Sequence, residues 1–537
     1  MKRLGSVVLV GVAAGLLGCP QSGVVCREGT VPCGLGCVDT ANDVRNCGVC
    51  GTACGASQEC KSGACTCTPG TALCDGSCVV FDYDARHCGG CNQACATGQV
   101  CEQGVCRASC SVGSTIRCGD SCVDAQTDEL HCGACGHACT QGEVCRAGVC
   151  GYEAVAACYW SGQAVGFSPS TGSRGPLSDF GTNPAALARY QGTLLAADGM
   201  DNRLYQAVPN ASGGGFSQVA RANSTGAVPN QVLVAPPYVY VANAGSGTLQ
   251  VLKEGFDGGD VILLDAGVQG GVALGTVAEL PLGPNTYPQG LAMLGDTLWV
   301  PLYGGFGAAA ADAGQEVLAV SVATPEAPVV TGRISLKGLD LKPFDGGTPV
   351  ARPFSVTAHR GAVYVALNNL NPDTYAAEGP GLLARIEPSD GGVSVIDLGG
   401  ADCLNPQWVA PVGDALAVSC GGKVQYSPTY TVESVAAAGL VLVGASDVRV
   451  AAWSSACPAD AGVTADGGPA CLPMMPGRFS VTGQRVLLSD QNAGRVVLVD
   501  VADGGLVLVR GVTDALNLCP VSPLTGAANV SDVLVTP

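Results

Sequence analysis

The residues of this chain best spaced to do chemistry are 24 cysteines between Cys26 and Cys150. They fall into three sets of eight, over 26–65, 67–106 and 110–150. The gaps recur almost unchanged: x6 (x7 in the third set), x3, x9, x2, x3, x5 and x4. Each set holds one CxxC: Cys47/Cys50, Cys88/Cys91 and Cys132/Cys135. His87 and His131 stand just ahead of two of them. A zinc site would draw four ligands from two pairs and leave four thiols over in each set. Four disulfides would use all eight. Disulfides fit better in an exported chain, which meets an oxidising compartment. Roughly a hundred pairings are open to eight cysteines, so spacing leaves the connectivity undecided. His87 and His131 read as solvated turn residues, because Asn46 fills that slot in the first set.

Export is read from the amino terminus, "MKRLGSVVLVGVAAGLLGCPQS". Lys2 and Arg3 precede an apolar run from Leu4 to Leu17 that is too short to span a bilayer. "LLGC" resembles a bacterial lipobox, which makes 1–18 a signal peptide and 19–25 a lipidated terminus and short tether. Several acyl chains on Cys19 would anchor the protein to a membrane stably. Pro20, rather than Asp, follows Cys19; among lipoproteins this implies the outer membrane or cell surface. The chain carries 26 Lys plus Arg against 44 Asp plus Glu, a net charge of -18. That balance, with no basic cluster after Arg3, argues against a nucleic-acid partner.

The elements that must position these residues differ sharply along the chain. Between Cys26 and Cys150 the only aromatics are Phe81 and Tyr83. Modules of about 40 residues cannot bury enough apolar surface to offset chain entropy, whereas cross-links supply about 2–4 kcal/mol each. "CVDTANDVRNCGVCGTAC" and "CVDAQTDELHCGACGHAC" resemble the stigma-specific protein family of small secreted cysteine-rich proteins. The second module departs from the pattern with "CVVFDYDARHCGGC". The resemblance implies extracellular interaction rather than catalysis, and it carries over no ligand.

After Cys150, short β-branched runs alternate with Gly, Asp and Asn turns. "YVYVANAGSGTLQVL" and "RVLLSDQNAGRVVLVD" each read as two strands about a turn. A further strand precedes such pairs, led by Pro184, Pro229, Pro288, Pro353, Pro406 and Arg478. A seventh, at Val530, ends the chain with no blade after it, so it would complete the first blade. The predicted fold class is mainly β: disulfide-rich repeats, then a seven-bladed β-propeller over 151–537 that resembles NHL and YVTN-type propellers.

Within the propeller, "DGG" at Asp257, Asp345, Asp390, Asp466 and Asp503 marks hairpin turns. No cofactor is implied. Calcium is the one cation such tips could approach, though each offers too few carboxylates. His359 is the propeller's single histidine and reads as a turn residue. GxSxG, HExxH and P-loop motifs are missing from the sequence. The predicted site is a ring at the channel mouth: Asn183, Asn230, Gln289, Arg352, Asn405 and Gln407 at strand starts, and Asp198, Asn243, Asn368 and Asp490 at second-strand ends. Its amides and acids suit a peptide or glycan. Three bridges are expected: Cys457–Cys471 pinning a loop, and Cys403–Cys420 with Cys158–Cys519 at analogous places in two blades. The favoured reading is a surface-anchored interaction protein whose disulfide-stapled stalk presents a recognition propeller. The alternative is a propeller enzyme, a lactonase-like metal hydrolase or lyase.

Overall fold

The computed structural model describes residues 31–536 apart from short stretches, the longest being 458–470. The leader with Cys19, and the tips at Asp257, Asp466 and Asp503, lie outside the described residues. Two compact units divide between Ala125 and Gln126, inside the third repeat rather than at its end. Among the described residues no helix is long and apolar enough to cross a membrane.

The second repeat shows the design of all three. It consists of two hairpins, Ala72–Cys74 with Ser77–Val79 and Val100–Glu102 with Val105–Arg107. Four bridges staple it: Cys67–Cys78, Cys74–Cys91, Cys88–Cys101 and Cys95–Cys106. The same ladder recurs in Cys47–Cys60 and Cys54–Cys65, and in Cys110–Cys122, Cys132–Cys145 and Cys139–Cys150. Both thiols of each CxxC are disulfide-bonded, so none remains as a thiolate ligand.

Two other recurring letters have local causes. The glycine of C-G-x-C lies at φ +77 in Gly48 and Gly89, and a Cβ there would stand 2.6 Å from the carbonyl of Gly63 or Gly104. The turn therefore admits only glycine. The Asn/His slot supplies a hydrogen-bond acceptor. Asn46 Oδ1 receives the Gly51 N–H at 2.8 Å, His87 Nδ1 that of Asn92 at 3.0 Å, and His131 Nδ1 that of Gly136 at 2.9 Å. Asn and His interchange because each offers an acceptor two bonds beyond Cβ.

The propeller comprises seven sheets of at least four strands, taken in chain order. Their innermost strands are Pro184–Tyr190, Pro229–Ala235, Ala292–Leu294, Pro353–His359, Pro406–Val412, Pro476–Thr482 and Val530–Val535. The first blade is split between the chain ends: Val530–Val535 pairs with Ala154–Cys158, followed outward by Gln163–Phe167 and Arg174–Asp179. Seven apolar clusters lie between successive blades, and the seventh joins the last blade to the first, with Leu487, Val496 and Leu498 against Ala154, Val165 and Val530. The ring is thus closed by packing as well as by pairing. Cys158–Cys519 adds a covalent clasp at that blade, with Cα atoms 5.3 Å apart.

Two strand starts differ from expectation. In the fourth blade Pro288 makes only an isolated bridge with Leu302, and the strand itself is Ala292–Leu294. In the seventh blade the leading residue is Pro476, not Arg478, and it pairs with Asp490 as Pro184 pairs with Asp198. Arg478 therefore lies two residues inside its strand. The last hairpin of the third repeat, Glu143–Arg146 with Val149–Tyr152, is part of the propeller's compact unit. Arg146 donates to the Thr536 carbonyl at 3.1 Å. The Tyr152 ring fills a slot over Gly166 and Gly175, where any Cβ would overlap it.

Candidate binding site at the channel mouth

The blades' antiparallel pairing defines two faces. On one, the first and second strands of a blade join by tight turns such as Gln191-Gly192 and Arg360-Gly361, at φ 47 and 82 and at φ 48 and 79. On the other lie the leading prolines and the second-strand ends. That mouth face carries the long connections 303–315, 368–381 and 421–438, the last containing an extra hairpin, Lys423–Tyr426 with Val432–Ala436. It also holds all three described propeller disulfides. Cys158–Cys519 and Cys403–Cys420 each tie a second-strand end to the connection ahead of an innermost strand, and Cys457–Cys471 spans the connection into the last blade.

A cavity of about 180 Å³ opens at the centre of this face. The residue immediately after each leading position turns towards the axis. Ala185, Asn230, Phe354, Gln407 and Ser531 line the cavity, joined by Tyr159, Gln491, Asn529 and Arg478. Gln289 stands at the same position in the fourth blade and accepts a hydrogen bond from the Asn230 amide. Gly477 makes room for Gln491, whose Nε2 would lie 2.5 Å from a Cβ there.

Arg478 is 5% exposed and reaches across the ring. It donates to Gln231 Oε1 at 2.5 Å and to the Asn230 carbonyl at 2.6 Å, and its guanidinium lies 4.7 Å from the Trp408 ring centre. Asp532, also buried, stands 3.9 Å behind it. Burial holds the arginine below its ordinary pKa and pushes the Asp532 carboxyl up; each charge opposes the other's shift. Asp532 is fixed by the Leu187 and Val533 N–H groups, at 2.8 and 2.9 Å. A buried pair of this kind is costly to break by removing one partner, because the other charge is then stranded.

The structure separates the predicted site residues into two groups. Asn230, Gln289 and Gln407 are at the mouth. The others shape the connections around it. Asp198 is buried and receives the N–H groups of Thr182, Asn183, Met200 and Asp201 at 2.6–3.1 Å. Asp490 does the same for Met475 and Asn492, and pairs with Arg495 at 2.7 Å; burial pushes its carboxyl up against the pull of that arginine. Asn183 donates to the Tyr159 carbonyl at 2.9 Å. Asn243 reaches Thr248 at 3.2 Å, and Asn368 reaches Asn405 at 2.5 Å. Arg352 is 0% exposed, 4.8 and 5.0 Å from the ring centres of Tyr303 and Tyr375, and donates to the Gly305 carbonyl at 3.1 Å. It is a strut between blades. Asp390 caps its own turn by accepting the Gly392 N–H at 2.8 Å, and His359 ends its strand, paired with Ala362 across the Arg360-Gly361 turn on the face opposite the mouth. Sequence reasoning passed over Arg478, Gln491, Tyr159, Phe354, Asn529 and Ser531 as site residues. For two of them the signal was present: Phe354 and Ser531 follow the leading Pro353 and Val530, the same position that brings Asn230, Gln289 and Gln407 to the mouth.

The stigma-specific STIG1-like protein family matches residues 65–109 and 104–153, a minor part of the chain. No curated protein matches. Among solved structures, a 6-phosphogluconolactonase-like protein of Bacteroides uniformis is 14% identical over 68% of this chain and 98% of its own, with a TM-score of 0.43. A second such protein, from Bacteroides fragilis, is 13% identical over 72% and 97%, at 0.44. BamB of Moraxella catarrhalis is 13% identical over 66% and 85%, at 0.34. Likenesses this distant carry no functional weight, and the propeller stands on its own pairing and cores. Cross-links at this density belong to a compartment outside the cytoplasm.

Proposed function

We propose that this is a surface-anchored interaction protein. Cys19 carries the lipid anchor, the cysteine-rich repeats follow it in the chain, and the propeller recognises a peptide or glycan at its channel mouth. The observation that carries this reading is the unequal elaboration of the two faces. On one, the long connections 303–315, 368–381 and 421–438 and all three described propeller disulfides surround a polar cavity; on the other, tight turns cover the first hairpins, and a long connection, 255–273, runs to the outer edge through Val261–Leu263. Positioned loops on a rigid scaffold are where binding residues concentrate. The Ser531 hydroxyl at the cavity donates to the Ala157 and Pro184 carbonyls, and among the described lining residues no histidine or carboxylate stands beside it as a base, so nothing there favours the hydrolase reading.

The test is an array of peptides and glycans probed with the full oxidised chain. Gln407→Ala is expected to weaken any captured ligand severalfold, while Gln484→Ala, in a turn on the opposite face, leaves it unchanged. Loss with Gln484→Ala alone would contradict the site. Cys19→Ser should release the protein from the membrane fraction; retention there after the change would remove the anchor.

A further inference from the structure

Resting on that reading, we propose that the channel-mouth cavity takes the free carboxylate of a peptide carboxyl terminus. At about 180 Å³ the cavity is too small for a whole ligand, since such pockets run to roughly 300–1,000 Å³. It admits an end. The chain as a whole has a net charge of -18, yet among the described residues lining this cavity the one charge is the Arg478 guanidinium. Every other polar lining group is an amide or a hydroxyl. Two of the arginine's five N–H donors are committed to Gln231 and Asn230. Asp532 sits 3.9 Å from Nη1, outside direct contact and outside the lining, where it steadies the cation without occupying the cavity.

A guanidinium presented in this way matches a carboxylate, whose two oxygens accept its forked donors. A dianionic phosphate would call for a second cation, which the lining lacks. The amides of Gln407 and Gln491 can both donate and accept, which suits the peptide unit next to a terminal carboxylate. Phe354 and Tyr159 give the last side chain an apolar wall. An end group, rather than a chain in passing, also fits a floor that Arg478 spans from the seventh blade to the third.

The experiment uses the full oxidised chain and two pools of N-acetylated tripeptides, identical except that one ends in free acids and the other in amides. Equilibrium dialysis with mass-spectrometric readout compares them. The acid pool should be retained roughly tenfold to a hundredfold more tightly, the worth of a hydrogen-bonded charged contact. Gln491→Leu should weaken the acids severalfold. Arg478→Met alone strands Asp532 and threatens folding, so it is paired with Asp532→Asn. A double variant that melts like the parent should lose the difference between acid and amide. The wild-type comparison decides the matter even where that variant fails to fold.

Equal retention of both pools overturns the carboxylate while leaving binding at the mouth intact. An acid preference that survives the folded double variant overturns the role of Arg478. Displacement of the acid peptides by a glucuronate-ended oligosaccharide at lower concentration overturns the peptide assignment. Binding of neither pool, with array ligands still sensitive to Gln407→Ala, overturns this inference and spares the function proposed above.

Discussion

The repeats and the propeller solve the same problem with opposite means. In the repeats the buried residues are largely the bridges themselves: Cys47, Cys60, Cys74, Cys88, Cys101, Cys122, Cys132 and Cys145, with Val100 and Val123 beside them. In the propeller seven apolar clusters separate the sheets, and cysteines enter only on one face. The first arrangement is covalent and local. The second is apolar and cumulative, so no single contact decides it. The contrast teaches that the propeller's disulfides add to a core that apolar side chains already make: Cys158, Cys403, Cys420 and Cys471 are buried in the inter-blade clusters, at their mouth-face end.

Reduction should break the comparison open most widely. Under a reductant the repeats are expected to lose protease resistance entirely, while the propeller keeps its strand signal by circular dichroism. A chelator alone should do nothing. Repeats that resist reductant but yield to chelator would show a metal framework instead. Next in size is the clasp. Cys158→Ser with Cys519→Ser opens a closure of 361 residues, and chain entropy sets its stabilisation at up to about 6 kcal/mol. The Cys403→Ser, Cys420→Ser pair opens 17 residues and should cost about 3 kcal/mol on the same basis. Denaturant melts followed by tryptophan fluorescence measure both; equal losses would mean that the clasp does not act through ring closure. The smallest effect sharpens the account of the repeats. His131→Asn should be neutral, because Oδ1 replaces Nδ1 as acceptor for the Gly136 N–H. His131→Ala should cost about 0.5–1.5 kcal/mol, read from the repeats' rate of reduction by dilute thiol. Equal behaviour of the two variants would remove the capping role.

Much of this was legible in the chain, and the reason is periodicity. Leading prolines recur because they can open an innermost strand without a ladder N–H, and the Pro184–Asp198 register repeats at Pro229–Asn243. The split first blade followed from a lone strand at Val530. What stayed hidden was contact across the ring. Arg478 meets Asn230 and Gln231 from the far side of the channel, and no local pattern announces such a partner. Asn183, Arg352 and Asn405 fall two positions short of the cavity, since a bulge at each of these strand starts turns Ala185, Phe354 and Gln407 inward instead. Asn and Asp at second-strand ends proved to be turn organisers, which their residue types also allowed.

Cys158 and Cys519 make most of the propeller a covalent circle. Every connection from the first blade's second hairpin to the approach of its last strand lies inside it. A protease that cuts one of these loops opens the circle but releases no fragment: both new ends remain tethered through the clasp, and the seven inter-blade cores hold them in register. Only a second cut, or reduction of that one bond, sets a piece free. For a chain exposed outside the cytoplasm, a single nick is therefore a wound the propeller can carry while its mouth stays in place.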